Sequence, residues 1–341
     1  MRGTKRYLWL FVLVTVMIMV SSTVVGDGRI AFSSDREACC DPAIFSMSED
    51  GEPPPAIRMT KTDEPSVHNP KITYDSTKLL YDTGSEIWMT DFPGPGETPV
   101  KLVGSTNSPA RHVDALEYVH DGKRDLYILF TSRIPVPGEP LVDRIWRATV
   151  DMDLEELVSG SLVLMSPVEN LAFDQKHPAF CGDDHFVWVH NSSYDLEICY
   201  REFDKNGPIG VMTCWNGGPA DQGVADEYPT CSSNGRLLAW ARAEVDPEYN
   251  GTFDIWVRWT DDSFPFFNTT PGTHDSNEIM SEFGPGDLQV AYASDEPAAG
   301  EPSNDDFELY KQNWSGAGLP VQLTDNDDQD LSPSWAPVLL P

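Results

Sequence analysis

A short apolar phrase built around an aromatic residue recurs six times along this chain, and its spacing restricts what the chain can fold into. The phrase reads Ile30-Ala31-Phe32-Ser33-Ser34-Asp35, Leu79-Leu80-Tyr81-Asp82-Thr83-Gly84 and Ile128-Leu129-Phe130-Thr131-Ser132-Arg133 in the first half. It returns as Val187-Trp188-Val189-His190, Leu238-Ala239-Trp240-Ala241-Arg242 and Val290-Ala291-Tyr292-Ala293-Ser294-Asp295. The anchors at 32, 81, 130, 188, 240 and 292 are 49, 49, 58, 52 and 52 residues apart, with another 49 to Pro341. A period near fifty marks a repeat architecture, in which each unit buries its apolar face on its neighbours. The anchors are expected in that core.

Each repeat carries further strand-like runs, among them Ala43–Met47, Glu86–Met89, Arg144–Arg147, Glu197–Tyr200, Asp254–Val257 and Phe307–Lys311. They are rich in β-branched and aromatic residues and are punctuated by Gly, Pro, Asn and Asp. No stretch sustains a helical period, so the chain is expected to be all-β. The first anchored strand follows directly on Asp27-Gly28-Arg29, so the first repeat lacks an innermost strand, whereas Ser332 to Val338 is a surplus one. Pairing the two closes a ring and removes an exposed sheet edge. The expectation is a six-bladed β-propeller whose C-terminal strand completes the first blade.

Ile30-Ala31-Phe32-Ser33-Ser34-Asp35-Arg36, Ile44-Phe45-Ser46-Met47-Ser48-Glu49-Asp50-Gly51, Met59-Thr60, Leu323-Thr324 and Ser332-Pro333-Ser334-Trp335-Ala336-Pro337 resemble the repeat of the TolB-like β-propellers. The resemblance runs over residues 28–341, is clearest in the first and last repeats, and weakens in the third and fourth, where cysteines replace pattern residues. It implies a six-bladed propeller and no reaction.

Residues 1–26 read as a secretory signal. Arg2, Lys5 and Arg6 precede an apolar run from Leu8 to Val20, and Val24-Val25-Gly26 offers a small-residue exit. The run is short for a membrane span. Residues 27–341 then form the mature propeller, with 341 − 26 = 315 residues and a formal charge of (23 − 3) − 55 = −35. Such a charge opposes nucleic acid, whose phosphates are met by Lys and Arg, and it disfavours anionic membrane surfaces. The mature chain is expected to be exported, to a periplasm, a cell surface or the medium, without inserting into a membrane.

Six cysteines in an exported chain point to disulfides. Cys199 and Cys214 are symmetric about Asn206-Gly207, a pair favoured in two-residue hairpin turns, and so are expected to face each other. Cys181 is expected to pair with Cys231, each following a Pro that opens a strand, which leaves Cys39 and Cys40 as a vicinal pair.

In such blades the loops before the innermost strands share a face with those between the second and third strands. The former hold His68, His112, His177, Glu227, Glu278 and Asp330; the latter hold Arg36, Arg133 and Arg242. His68, His112, His177, Glu227, Arg242 and Glu278 are the candidate ligand-binding residues at a channel mouth. Imidazoles with a carboxylate also suit a divalent transition metal, although no cofactor is expected. Asp325-Asn326-Asp327-Asp328-Gln329-Asp330 lacks the Gly and the closing Glu of a calcium loop and reads as a solvated turn. Asn191, Asn250, Asn268 and Asn313 stand in glycan-acceptor tripeptides.

There is no Gly-x-Ser-x-Gly elbow and no Gly-rich phosphate loop. The reading is a binding or interaction module for a protein, peptide or glycan partner rather than an enzyme. Two alternatives remain: a metal-dependent polysaccharide lyase or hydrolase with a His-rich mouth, and a structural subunit of a surface or envelope assembly.

Overall fold

The computed structural model describes residues 28–36, 41–52, 55–61, 66–93, 98–120, 123–166, 173–191, 196–215, 224–243, 252–261, 266–271, 276–296 and 306–336. The expected leader and the Cys39-Cys40 pair lie outside these residues. Apart from a single 3-10 turn at Pro285–Asp287, the regular structure among the described residues is β-strand.

The strands form antiparallel units, ordered here from the innermost strand outward. Blade 1 is Asp330–Trp335, Arg29–Ser34, Ala43–Ser48 and Ile57–Arg58. Blade 2 is His68–Ile72, Lys78–Asp82, Glu86–Asp91 and Val100–Gly104. Blade 3 is Ala110–His120, Lys123–Ser132 and Arg144–Asp151, edged by Glu156–Leu157 and Val163–Leu164. Blade 4 is Gln175–Cys181, His185–Asn191, Leu196–Asp204 and Gly207–Trp215, and blade 5 is Ala225–Cys231, Leu237–Ala243, Phe253–Trp259 and Phe267–Asn268. These two touch through one parallel residue pair, Leu196 with Ala225, which merges them into one eight-stranded sheet. Blade 6 is Glu278–Phe283, Gln289–Ser294, Glu308–Asn313 and Val321–Gln322. The six units make the expected propeller.

The sequence anchors lie on the second strand of every blade, and all six are buried. In five blades the anchor faces an aromatic on the third strand: Phe32 with Phe45, Tyr81 with Trp88, Phe130 with Trp146, Trp240 with Trp256 and Tyr292 with Tyr310. Cross-strand aromatic pairs are among the stronger local contacts in a sheet. In blade 4, Trp188 faces Cys199 instead, and Cys199 is bonded to Cys214 on the outermost strand. Apolar clusters fill the wedges between blades, such as Leu80, Ile87, Leu126, Ile128 and Phe130 between blades 2 and 3. This is the burial that a single blade cannot achieve alone.

Closure is as expected. Ile30 pairs with Trp335, Ala31 with Ser334, Ser33 with Leu331 and Ser34 with Asp330. The Arg36 guanidinium lies 2.8 Å from Asp330 and 2.6 Å from Glu52, and the Trp335 Nε1–H donates to Glu49 at 3.2 Å. Both expected disulfides among the described residues are present. Cys181–Cys231 joins the innermost strands of blades 4 and 5, and Cys199–Cys214 joins two strands of blade 4. The hairpin between the latter pair turns one residue earlier than its symmetry implies. Asp204 pairs with Gly207, and the Asp204 carboxylate accepts the N–H groups of Asn206 at 2.7 Å and Gly207 at 3.2 Å. A register shift between Tyr200 and Glu202 then restores the alignment of the two cysteines.

Candidate functional site

All six innermost strands carry the same irregularity. In each, two residues stand opposite one anchor of the second strand: Asn69 and Pro70 opposite Tyr81, His112 and Val113 opposite Phe130, and His177 and Pro178 opposite Trp188. Tyr228 and Pro229 stand opposite Trp240, Met280 and Ser281 opposite Tyr292, and Ser332 and Pro333 opposite Phe32. A bulge of this kind bends the strand and re-aims a side chain. The first residue of every bulge has a positive φ, between 47° and 55°, an uncommon region for residues with a Cβ. Four of the second residues are prolines, which lack the N–H that the interrupted ladder leaves without a role.

The result is a ring of six side chains of five kinds around one axial cavity of about 110 Å³: Asn69, His112, His177, Tyr228, Met280 and Ser332. One arc of the ring is aromatic. The His112 and His177 rings meet edge to face with centroids 4.2 Å apart, and His177 stacks on Tyr228 at 4.3 Å. The other arc is small and polar, with Ser332 Oγ 3.2 Å from Asn69 Oδ1 and 3.0 Å from Met280 Sδ. Asp82 fixes the junction between the arcs, accepting from Asn69 Nδ2 at 2.8 Å and from the His112 backbone N–H at 2.9 Å.

Beneath the ring lies a charged floor that ties the blades together. Lys71 of blade 2 sits 2.9 Å from Asp114 of blade 3 and 2.7 Å from Glu282 of blade 6. Asp114 also accepts the Phe180 N–H of blade 4 at 2.6 Å, and Thr230 of blade 5 donates to Glu282 at 3.0 Å. Ser334 of blade 1 accepts the Ile72 N–H at 3.0 Å, which brings the sixth blade into the network. Burial alone would lower the lysine, but the two carboxylates outweigh it and hold its pKa above the ordinary value. Burial pushes the Glu282 carboxyl up, against the pull of Lys71.

The candidate residues separate by position. His112 and His177 belong to the ring. His68 and Glu227 stand one residue before it along their strands, at the rim, where the Tyr228 hydroxyl donates to Glu227. That hydroxyl is pushed up to about 12, by burial first and then by Glu227. Arg242 and Glu278 lie outside the cavity lining. The Arg242 guanidinium stacks over the rings of Trp256 and Phe266, 3.9 Å from Asp226. Glu278 is fully buried and accepts from Ser276 at 2.8 Å and Ser294 at 3.0 Å. Arg36 and Arg133 are engaged with Glu52, Asp330 and Asp143. Asn69, Tyr228, Met280 and Ser332 escaped the sequence reading, as did the floor. The signal that finds the ring is the bulge opposite each aromatic anchor, marked by the recurrent X-Pro of Asn69-Pro70, His177-Pro178, Tyr228-Pro229 and Ser332-Pro333.

Both ring histidines are held neutral. Burial, then His177, Arg111 and Lys176, keep His112 well below the ordinary imidazole value. Burial, then Lys176 and Arg111, push His177 down to about 3. The Nδ1 atoms of both are buried without a hydrogen-bond partner among the described residues. As for a metal, among the described residues the one group of three or more His, Cys, Asp or Glu within bridging reach is Glu197, Cys199 and Cys214, whose sulfurs are already joined.

No protein-family model matches the chain, and no curated protein matches it. Solved structures do. The chain is similar to the structure assigned to TolB from Agrobacterium tumefaciens, at 15% identity and a TM-score of 0.56, over 92% of this chain and 99% of that one. It is also similar to a chain of the nidogen/laminin complex, at 10% identity and a TM-score of 0.58, over 91% and 98% of the two chains. The fold is a β-propeller. Identities this low establish the architecture and leave the chemistry to the residues of this chain.

Proposed function

We propose that this protein is an exported propeller that binds a protein, peptide or glycan partner at the mouth of its central channel. The observation that carries this reading is the ring. Six repeats use the same strained bulge to bring side chains of five kinds around one cavity, and the two histidines carry buried Nδ1 atoms without a hydrogen-bond partner among the described residues. A repeat fold needs no such diversity at its axis for stability, whereas strained backbone tends to gather where ligands are held. The two disulfides support export. The similarity to a chain from a complex of two proteins agrees with a recognition role.

The test is a peptide and glycan array probed with the parent protein and with the His112→Gln/His177→Gln double variant, circular dichroism confirming that the variant is folded. Retention of a ligand by the parent and its loss by the variant is the expected outcome. Equal retention by both would move the function away from the channel. Elemental analysis of the same two samples addresses the enzymatic alternative: a stoichiometric transition metal present in the parent and absent from the variant would replace this reading with a metal centre. Ordered self-assembly in light scattering would favour the structural alternative.

A further inference from the structure

The charges around the ring are distributed unlike those of the chain as a whole. The protein carries a formal net charge of −32. Yet the residues immediately before the ring positions, blade by blade from blade 2, are His68, Arg111, Lys176, Glu227, Ile279 and Leu331. Arg111 and Lys176 stand there against Glu227, which already accepts the Tyr228 hydroxyl. Arg111 lies 2.8 Å from Asp143, but Arg133 holds the same carboxylate at 2.9 Å, so that trio keeps a net positive charge. Burial is the first cause that keeps both ring imidazoles uncharged, and the field of Arg111 and Lys176 adds to it. The same field that repels a proton repels a metal cation and attracts an anion.

Geometry adds a second, independent observation. The Nδ1 atoms of His112 and His177 are buried and unpartnered among the described residues, on rings 4.2 Å apart that border the same cavity. A buried polar atom without a partner costs free energy that a ligand can recover. The floor limits the charge such a ligand can carry. Lys71 is shared between Asp114 and Glu282, 2.9 and 2.7 Å away, so a dianion entering from the mouth would meet two carboxylates behind one ammonium. A cavity of about 110 Å³ also admits only a small head group.

We propose that the channel pocket binds a singly charged carboxylate, presented by a peptide end or by a sugar acid, against the imidazoles of His112 and His177. The inference rests on the channel-mouth reading above and names the chemistry of its ligand. Binding is linked to protons. An anion at the pair offsets Lys176 and the net positive group of Arg111 and Arg133 around Asp143, while Glu227, Asp82, Asp114, Glu282 and Lys71 are already engaged with protein partners. The bound carboxylate therefore raises the imidazoles towards their ordinary range, and an imidazole takes up a proton as the ligand enters.

The experiment is calorimetric titration with N-acetylglycine, which mimics a peptide C-terminus, and with glucuronate, a sugar acid, each in two buffers of different ionisation enthalpy. N-acetylglycinamide serves as the uncharged control and methylammonium as the cation. One site is expected, with roughly threefold or more tighter binding at pH 5.5 than at pH 7.5, net proton uptake, and no binding of the amide or of methylammonium. The preference between the two acids identifies the source of the carboxylate. The His112→Gln/His177→Gln variant should lose the pH dependence, and the Lys176→Gln variant should weaken binding severalfold should the double variant not fold. Failure of both acids to bind, equal binding of the amide, or binding of methylammonium overturns the proposal. A partner from the array that still requires the two histidines but is not displaced by either acid removes the carboxylate inference alone. A partner indifferent to the histidines removes the channel-mouth reading as well.

Discussion

Glu308 is the buried acid whose titration has the most direct consequence for stability. Its carboxylate accepts the Asn326 N–H at 2.8 Å, and it is 4% exposed. Burial, and after it the charges of Asp330 and Asp325, push it up to about 7 against the hydrogen bonds of Thr324 and Asn326. A carboxyl raised in the folded state favours folding while it is protonated, and that contribution is lost as the pH rises from the unfolded value through the folded one. Glu308→Gln should therefore stabilise the protein by about 2 kcal/mol at pH 8 and leave it nearly unchanged at pH 4. Urea denaturation at the two pH values measures this. Equal effects at both would mean that the carboxyl is not held uncharged. The ring histidines carry the opposite sign. His177, pushed down to about 3, contributes stability at neutral pH that is lost as the pH falls below the ordinary imidazole value, because the unfolded chain then binds the proton first.

At the scale of the element, blade 4 departs most from its neighbours. Where the other five pair an aromatic with the anchor, it places Cys199 against Trp188 and links it to Cys214 across a separation of 15 residues. The outermost strand of this blade buries Trp215 at its end but exposes Ile209 and Val211 in its first half, so apolar burial holds that half weakly. The chain-entropy model gives a bridge of this length about 3 kcal/mol. Replacing both cysteines with Ala should cost close to that, with amide exchange quickening first in Gly207–Trp215. Exchange that quickens uniformly over the whole propeller would show that the bridge supports the ring rather than the strand. The paired cysteines were legible from their symmetry, but the turn was not. The Asp204 side chain captures the backbone of Asn206 and Gly207 and draws the turn one residue earlier. A shift elsewhere in the hairpin compensates, and alternation alone does not encode such a shift.

The whole molecule depends on closure. The C-terminal strand supplies the innermost position of blade 1, contributes Ser332 to the ring and Ser334 to the floor, and buries Trp335. Deleting residues 330–341 exposes an edge of blade 1 and removes the tie between Ser334 and the Ile72 N–H at once. The truncated chain should aggregate or lose the cooperative unfolding transition, as followed by calorimetry and light scattering. A melt like that of the full chain would contradict the ring. The floor also ties blade 2 to blades 3 and 6: a lysine held between two buried carboxylates is costly to separate from either.

The sequence by itself determined the repeat, the blade count and the closing strand, because these follow from apolar periodicity and from a surplus strand at one end matching a deficit at the other. It also determined which cysteines meet. It named His112 and His177, but grouped them with His68, Arg242 and Glu278 because it could place loops and not side chains. Only the tertiary structure decided the rest. A bulge of one residue shifts His68 out of the ring and Asn69 into it, since side chains in a strand alternate and one extra residue re-aims those that follow. The floor joins Lys71, Asp114 and Glu282, residues far apart in sequence, through distances that exist only once six blades close around an axis.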